Sequence, residues 1–462
     1  MLEHLYCQGR YSLSDLTGIE VVLAKAALLC IPTASETKKI TAVAEKVKKA
    51  VEDSAPSEVS EVLYGGSFAK GTWLRGDADI DVFIRIKPEV SEEQFEQLGV
   101  DVGKAALKKY KPHLRYSDHP YVEAVVDGIK VNVVPCYDVE KGKWKSAADR
   151  SPFHTLYMQK LDEEKRNQVR LLKRFFKATG TYGAEISTSG FSGYVSEVLV
   201  SKFGSFEGVI RALSDLRQGQ VISVDDNYDT DLVQEFQSAV VIIDPVDPRR
   251  NLGTAISNEN VGKFVMICRS FLDRPSMQFF RPIKRQNNKQ LYENVLVAEF
   301  SHRKRSPDTI WGQLKRSLNS ATKQLELSGF VVFRASCITD EDSSAAFAFL
   351  LESQNLPKVT LRRGPDIFRR SDASSFVKRA RKPLVMWVDK EMKISTLVER
   401  KHTSAEKLVK SMLQDSPEKS GIAKDMITGK IKVYSGRELK KAKYLAREAA
   451  DELVCTERLV FF

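Results

Sequence analysis

The chain has 462 residues, with 72 Lys and Arg against 61 Asp and Glu, so its formal charge is +11. At roughly 100 to 200 residues per domain, this length predicts two to four domains. The hydrophobic share of 42% and the charged share of 29% are typical of globular proteins and exclude a mostly disordered chain. The six cysteines form no C-x-x-C pair, which argues against a zinc site or a disulfide framework and favours a reducing, cytoplasmic location.

The longest early apolar run, Val21–Ile31, is interrupted by Lys25. It falls short of the roughly 18 to 20 residues that span a bilayer. No basic segment precedes it and no small-residue cleavage site follows it, as a secretory signal would require. We therefore expect a soluble protein without a membrane partner.

The first 155 residues are expected to form a mixed sheet covered by helices. Apolar residues recur at helical spacing in two segments and form short Val- and Ile-rich runs in four others. The expected helices are Glu36–Val51 and Ser91–Tyr110, and the expected strands are Glu61–Tyr64, Asp79–Ile86, Tyr121–Val126 and Ile129–Val134.

Two further regions are expected beyond this sheet, so the chain as a whole is predicted to be an α+β multidomain protein. Residues 156–280 are predicted to be mainly helical, with helices at Asp162–Ala178 and Ser192–Leu213. Residues 281–462 alternate helices and strands, which predicts an α+β region divided into body and tail lobes. Its expected helices are Ser306–Leu327, Thr403–Leu413 and Gly436–Leu453, and its expected strands are Gly329–Ala335, Ala345–Leu351 and Pro383–Val388.

A glycine-rich bend follows the first predicted strand. Gly65 and Gly66 permit a tight turn and a close approach of backbone N–H groups to an anion. The Ser67 hydroxyl and the Lys70 ammonium are further phosphate partners. Taken alone, such a bend is more often a plain loop than a binding site.

Two carboxylates on the next strand make the bend more informative. Strand residues alternate in direction, so Asp79 and Asp81 share a face while Ile80 and Val82 point to the core. The two carboxylates lie about 7 Å apart along the strand and repel each other unless a cation lies between them. Mg²⁺ prefers such oxygen ligands and is often shared with substrate phosphates. The alternative is that both residues lie on the wet face of an edge strand.

A basic stretch near the C-terminal side is a candidate RNA contact. Between Lys358 and Lys382 nine basic residues accompany two acidic ones, a net charge of +7, with Phe368 and Phe376 interleaved. A phosphate backbone attracts such a cluster, although a solvated surface loop and strand would have the same composition. The residues expected to contact RNA are Arg362, Arg363, Arg369, Arg370, Lys378, Arg379, Arg381 and Lys382.

Gly66-Ser67 followed by Asp79-x-Asp81 resembles the signature of the polymerase-beta-like nucleotidyltransferase superfamily. Further runs, in order between Gly66 and Leu252, resemble the archaeal class I CCA-adding tRNA nucleotidyltransferases. Beyond Pro282 only the general layout is similar. The matching runs are Gly66–Gly76, Val133–Tyr137, Asp149–His154, Val169–Lys173, Tyr182–Glu185 and Asp244–Asp247.

This resemblance implies template-independent building and repair of the 3′-terminal CCA of tRNA from CTP and ATP. It implies a polymerase-beta-like catalytic domain over residues 1–155, a helical nucleotide-binding domain over 156–280 and a tRNA-binding body and tail over 281–462. Asp79 and Asp81 would bind Mg²⁺, and Arg250 would lie near the incoming base. The nucleotide-binding positions implied by the resemblance are Gly66, Ser67, Lys70, His154, Lys173 and Tyr182.

Several of these positions also have ordinary structural interpretations. His154 could be a core histidine, Lys173 an ordinary exposed position of its helix, Tyr182 a packing residue and Arg250 a loop charge. Lys173 shares a predicted helix face with Arg166, Arg170 and Lys177, and that face would suit a triphosphate or an acceptor-stem backbone.

Asn132 departs from the family pattern, because it stands where the superfamily has a third carboxylate. Lys130 and Asn132 share a strand face opposite Val131 and Val133, so Asn132 is expected to point into the site. A neutral amide ligates a metal only weakly and accepts no proton from a ribose hydroxyl. We expect nucleotide binding to persist and turnover to fall. Either Asp was replaced in the laboratory to trap substrates, or this is a natural chain with weakened or altered activity.

Two alternatives to CCA addition stay open at this point. The chain could be another enzyme of the superfamily, such as a poly(A) polymerase or an oligoadenylate synthetase, or a noncatalytic tRNA-binding protein. The expected partners are tRNA lacking its 3′ CCA, CTP and ATP, with a homodimer left open.

Overall fold

A computed structural model describes residues 18–226, 228–282, 285–380, 383–415, 417–423, 426–442 and 444–456. The chain forms two compact units. Unit 1 comprises the described residues up to 282, and unit 2 comprises those from 285 to 456.

The N-terminal part of unit 1 begins with two helices, α1 (Gly18–Cys30) and α2 (Ala34–Glu52). By length and composition alone, residues 18–52 could cross a membrane. Leu23, Ala26 and Cys30 of α1 are nevertheless buried in the core of the helical part of unit 1. Core helices of soluble proteins can have the same length and composition.

A five-stranded sheet with the order β1-β2-β5-β4-β3 carries the predicted site. Strands β2 and β5 are parallel, and the other neighbours are antiparallel. Alternate residues such as Ile80, Val82, Val131 and Val133 are fully buried and pack against α2 and α4, which leaves the opposite face for polar groups. The elements are β1 (Val59–Gly65), α3 (Gly66–Lys70), β2 (Asp79–Ile86), α4 (Glu92–Leu107), β3 (His113–Tyr116), β4 (Pro120–Val126) and β5 (Ile129–Tyr137).

The rest of unit 1 is mainly helical and has an aromatic core. Phe175, Phe206, Phe271 and Phe280 are fully buried there and meet one another at ring-centroid distances of 5.3 to 6.0 Å. Its elements are α5 (Arg150–Met158), α6 (Glu163–Thr179), α7 (Gly193–Phe203), α8 (Phe206–Ser214), β6 (Gln220–Ile222), α9 (Thr230–Glu235), β7 (Val240–Ile242) and α10 (Asn258–Asp273).

Unit 2 is built on a four-stranded sheet with the order β10-β11-β9-β15 and also contains a three-stranded sheet, β12-β14-β13. Buried residues of α11 and α13 pack on one face of the larger sheet, and those of α14 pack on the other. The elements are β8 (Gln286–Asn287), β9 (Val295–Ser301), α11 (Pro307–Leu327), β10 (Val332–Thr339), β11 (Ser344–Leu351), β12 (Val359–Asp366), α12 (Arg370–Arg379), β13 (Val385–Val388), β14 (Lys393–Glu399), α13 (Ala405–Gln414), β15 (Thr428–Ser435), α14 (Tyr444–Leu453) and β16 (Cys455–Thr456).

The structure contains strands that the sequence did not predict, including β9 and β14, which are inner strands of the two sheets of unit 2. The predicted helix Ser192–Leu213 is two helices, because the chain turns at Gly204 and the Ser205 hydroxyl caps α8 by accepting a hydrogen bond from the Gly208 N–H at 3.0 Å. The glycine-rich bend contains the short helix α3. The basic stretch is strand β12 followed by helix α12.

Candidate active site

Strands β2 and β5 bring the predicted acidic residues and Asn132 together on one face. In the parallel register, Asp79 lies beside Lys130 and Asp81 lies beside Asn132. β2 is an inner strand of the sheet, which excludes the edge-strand interpretation.

Gly66 places the bend directly against this face. Its φ is +60°, and a Cβ atom there would lie 1.8 Å from Asp81 Oδ2. Any other residue at this position would therefore have a strained backbone, and its side chain would collide with the Asp81 carboxylate. The next residue, Ser67, has a hydroxyl with no hydrogen-bond partner among the described residues and could donate to a ligand. The sequence thus uses glycine where the bend must touch the acidic strand.

Asn132 is tied to Asp81 by a hydrogen bond. Its Nδ2 donates to Asp81 Oδ1 at 2.9 Å, while its own Oδ1 is buried without a partner. Burial raises the pKa of Asp81, and the Asn132 hydrogen bond opposes that rise. The nearby Asp79 charge raises this pKa further, and Lys70 lowers it. An aspartate at position 132 would instead place a second carboxylate beside Asp81.

Lys130 partly neutralises the other carboxylate of the pair. Its Nζ lies 2.7 Å from Asp79 Oδ2, and both side chains are about half exposed. Burial lowers the pKa of Lys130, but the hydrogen bond to Asp79 and neighbouring carboxylates give a net rise. The ammonium is therefore a positive charge on the face that carries Asp79 and Asp81.

No nearby carboxylate among the described residues replaces the missing third one. Glu123 lies beside Asn132 in the register of β4 and β5, but its Oε1 accepts hydrogen bonds from His113 at 2.8 Å and Arg115 at 3.2 Å. Asp127 forms an ion pair with Lys46 at 3.1 Å. Both carboxylates are already paired with cations.

A buried carboxylate, Glu197, joins the bend to the helical part of unit 1. Its Oε2 accepts from Lys70 Nζ at 2.9 Å, and its Oε1 accepts from Lys173 Nζ at 3.0 Å and from the Thr72 hydroxyl at 2.6 Å. The Glu197 and Lys173 side chains are 1% and 3% exposed. Burial alone would raise the pKa of Glu197, but the charges of Lys173 and Lys70 lower it to about 2. The Glu197 carboxylate is therefore ionised at neutral pH.

A second buried carboxylate, Asp244, gathers three more side chains. Its Oδ2 lies 2.8 Å from His154 Nε2 and 3.3 Å from an Arg250 nitrogen, and its Oδ1 accepts from the Tyr194 hydroxyl at 2.9 Å. Burial lowers the pKa of His154 despite the nearby Asp244. The Tyr194 ring stacks on His154 at 3.9 Å and lies 4.9 Å from Lys70 Nζ, so it connects the two carboxylate networks.

Tyr182 lies beside the Glu197 network. A Cβ atom at Gly193 would lie 2.9 Å from the Tyr182 hydroxyl oxygen and 3.4 Å from Lys173 Cε, so both groups reach the first turn of α7. Lys177 Nζ lies 4.9 Å from the centre of the Tyr182 ring. Burial raises the pKa of Tyr182, so its hydroxyl is protonated at neutral pH.

The basic face predicted on α6 is not an open phosphate-binding surface. Arg170 is 5% exposed and donates to the Gly71 carbonyl at 2.7 Å and to the Trp73 carbonyl at 3.2 Å. Lys173 donates to the Thr72 carbonyl at 3.3 Å and to its hydroxyl at 2.9 Å. Lys177 pairs with Asp77. The expectation of a free basic face was wrong, because this face packs on the segment between α3 and β2.

A second group, Glu92, Glu96 and His119, could also hold a metal ion by the proximity of its ligand atoms, and its His119 lines the same cavity as Asp81 and Asn132. His119 Nδ1 already lies 3.0 Å from Glu96 Oε1. Exposed acidic groups commonly cluster without a metal, so the arrangement alone does not identify a site.

Sequence reasoning did not single out Glu197, Asp244 or Tyr194 as site residues. One signal was present for Glu197, a lone carboxylate within the apolar run of α7. Asp244 lies in one of the matching runs, but its role becomes visible only when residue 154, which is 90 residues away, is brought to it.

Three family models match successive parts of the chain. They describe a nucleotidyltransferase domain over residues 44–154, the second domain of tRNA nucleotidyltransferase over 167–281 and the C-terminal domain of the CCA-adding enzyme over 293–436. The CCA-adding enzyme of Pyrobaculum islandicum is 32% identical over 444 residues, which cover 93% of this chain and 100% of the relative. The chain belongs to the CCA-adding enzyme family.

A second relative supports the same assignment. The CCA-adding enzyme of Saccharolobus shibatae is 36% identical over 382 residues, covering 82% of this chain and 89% of that enzyme. The expected family, nucleotidyltransferase fold class and enzyme class are thereby confirmed. The chain is a tRNA nucleotidyltransferase of the kind that adds CCA to tRNA from CTP and ATP without a template.

Solved structures resemble parts of the chain more distantly. The Cid1 poly(U) polymerase is 14% identical with a TM-score of 0.46, covering 58% of this chain and 100% of that one. CdnC of Escherichia coli MS115-1 is 18% identical with a TM-score of 0.43, covering 56% and 94%.

Proposed function

We propose that unit 1 binds CTP or ATP with Mg²⁺ at the Asp79–Asp81 face and transfers the nucleotide to a tRNA 3′ end. The observation that supports this proposal is the contact of Gly66 with Asp81, which sets the bend and its Ser67 hydroxyl against the acidic strand. Carboxylate and amide oxygens suit Mg²⁺, and Asn132 Oδ1 is a buried oxygen without a partner. Mg²⁺ would neutralise the triphosphate and polarise its α-phosphate.

The chain's own residues would bind and orient the reactants. The Ser67 hydroxyl would donate to the triphosphate, and Lys70 and Lys173 would supply positive charge. The three donor contacts of Lys173 are already made within the protein, so we expect it to act through its charge. Arg250 and the neutral His154 would lie near the nucleoside. The RNA 3′-oxygen would bond to the α-phosphorus as the α–β phosphate bond breaks, with pyrophosphate leaving.

Asn132 would limit this reaction. The proposed metal site has two carboxylates, Asp79 and Asp81, and Asp79 is paired with Lys130. The site therefore has less negative charge than a three-carboxylate site for two metal ions. The proton of the RNA hydroxyl would also lack a carboxylate beside it. We expect this chain to bind nucleotides well and to transfer them slowly.

The proposed function is tested by product length. Full-length protein is mixed with tRNA lacking its terminal CCA, CTP, ATP and Mg²⁺, and products are resolved at single-nucleotide resolution. The expected result is addition that stops after three nucleotides. Continued adenylate addition would favour a poly(A) polymerase. The Asn132–Asp81 hydrogen bond favours one alternative, a noncatalytic tRNA-binding protein. That alternative replaces the proposal if both this chain and Asn132→Asp bind tRNA and nucleotide without transferring the nucleotide.

We further propose that the basic stretch of unit 2 binds the tRNA backbone. The six described members of the predicted set are exposed and form no ion pair among the described residues: Arg362, Arg363, Arg369, Arg370, Lys378 and Arg379. A groove of about 560 Å³ is lined by Arg362, Phe376 and Arg379, with Arg362 lying 5.7 Å from the Phe376 ring. Arg381 and Lys382 lie outside the described residues.

Replacing Arg362 and Arg379 together with Ala should weaken tRNA binding. Each lost phosphate contact lowers the slope of log affinity against log salt by roughly 1, so we expect a slope smaller by about 2. Binding is measured by filter retention across a salt series. Arg316→Ala with Lys323→Ala, on exposed positions of α11, is the matched control. An unchanged slope in the first variant would contradict the proposal.

We also propose a homodimer through the open face of the three-stranded sheet. Arg362 and Gly364 face α12, so by alternation Leu361 and Arg363 lie on the opposite face. There Leu361, Leu397 and Val385 form one apolar row in register.

Leu361→Lys with Val385→Lys should convert such a dimer to monomers, because the interface would then contain unpaired charges. Sedimentation velocity measures the change. Val377→Lys, at an exposed position of α12, is the matched control. A parent chain that sediments as a monomer at micromolar concentration would contradict the homodimer.

We also propose that the protein is cytoplasmic and that its three domains divide at residues 155 and 280.

A further inference from the structure

We propose that Glu197 is a positioning residue for nucleotide binding, as the shared counter-ion that holds Lys70 and Lys173 in place beside the bend. This inference rests on the proposed nucleotide site. Glu197 is not among the positions that the sequence resemblance implied, and the buried network would then have a role in nucleotide binding.

The contacts of Glu197 come from three separate elements. Lys70 ends α3, Lys173 lies in the middle of α6, and Thr72 lies in the segment before β2. Glu197 meets all three through hydrogen bonds of 2.6 to 3.0 Å. One carboxylate therefore fixes both lysines relative to the bend that carries Ser67.

The charges favour a functional role over simple packing. Two ammonium groups and one carboxylate leave a net charge of +1 in a buried place next to the catalytic face. Lys70 is close enough to lower the pKa of Asp81. A buried ion pair adds little net stability compared with apolar side chains of the same shape, so packing alone does not require a carboxylate at this position. An anionic ligand would benefit from the remaining positive charge.

Without Glu197, Lys173 would lose its charge more readily. Burial already lowers the pKa of Lys173, as do the neighbouring Lys70 and Arg170, and Glu197 opposes this effect. With a neutral residue at 197, the buried ammonium groups would repel each other without compensation. Deprotonation would relieve that repulsion. The site would then lose positive charge progressively as the pH rises.

The test is CTP binding by the full-length protein, measured with Mg²⁺ by isothermal titration from about pH 6.5 to about pH 9. Glu197→Gln keeps the shape and removes the charge. We expect roughly tenfold weaker CTP binding at pH 7 and a further loss as the pH rises. Glu299→Gln, which removes a carboxylate bonded to Tyr434 in unit 2, is the matched control and reports the pH dependence of CTP itself.

A second readout separates positioning from structural damage. In the Asn132→Asp background, Glu197→Gln should raise the KM for CTP and leave the KM for tRNA unchanged. CTP binding equal to that of the control at every pH would overturn the inference. A parallel loss of CTP binding, tRNA binding and thermal stability would also overturn it, because that pattern indicates a structural role.

Glu197→Asp covers the case in which Glu197→Gln does not fold. It keeps the charge but shortens the side chain by one methylene. We therefore expect weaker CTP binding that depends on pH in the same way as CTP binding by the control. Unchanged CTP binding in this variant would overturn the inference. Failure of the proposed function can be distinguished from failure of this inference. In the first case Asn132→Asp would incorporate no CMP, and the comparison of CTP binding would still decide the role of Glu197.

Discussion

Asn132→Asp is expected to increase CMP incorporation into tRNA lacking its CCA by about 10²- to 10⁴-fold, the range typical of a positioned acid or base group. The reason is local. Position 132 lies beside Asp81 in the strand register, and an aspartate there restores the third carboxylate. Single-turnover incorporation of labelled CMP measures the change, and CTP affinity should remain within about threefold of the parent value because Ser67 and Lys70 are untouched.

The same substitution should make the thermal stability of the protein depend on divalent cations. Asn132 now donates to Asp81 at 2.9 Å, whereas a carboxylate at this position would repel Asp81, at a cost of about 1 to 2 kcal/mol in the absence of metal. Mg²⁺ should restore the melting temperature of the variant more than that of the parent. If Asn132→Asp gained neither activity nor cation-dependent stability, position 132 would not belong to the metal site.

Asp81→Asn in the Asn132→Asp background is expected to reduce transfer by roughly 10³-fold or more, since losing a metal ligand removes several kcal/mol of transition-state stabilisation. Mn²⁺ binding in the presence of a nonhydrolysable CTP analogue, followed by electron paramagnetic resonance, should weaken in parallel. This second measurement reports the metal site independently of turnover.

Glu96→Gln is the matched control for this prediction. Glu96 belongs to the other acidic group, with Glu92 and His119. If the functional metal bound there, Glu96→Gln would abolish Mn²⁺ binding and transfer while Asp81→Asn would retain both. We expect the opposite pattern, because the Asp81 face touches the bend at Gly66.

The sequence predicted the acidic face well because strand alternation is a local property. Asp79 and Asp81 had to share a face, and the bounds of β2 are those expected, Asp79–Ile86. Gly66 was identified as a site of close approach, and the structure adds that the approached group is Asp81 itself. These features depend on neighbouring residues along the chain.

The buried networks could not be predicted in this way because they depend on distant pairings. Glu197 lies 127 residues from Lys70, and helical periodicity does not reveal which element covers a helix face. The same limitation explains the error on α6. Arg170 and Lys173 do share a face, as predicted, but the segment from Gly71 to Trp73 covers it.

The carbonyl contacts of that segment have a consequence for how the protein can be divided. Gly71, Thr72 and Trp73 direct their backbone oxygens to Arg170 and Lys173 of α6. A fragment ending near residue 155 would leave these oxygens and the Lys70 ammonium without their protein partners. We therefore expect that the sheet does not fold on its own. Removal of α6 should distort the bend even in the absence of substrate.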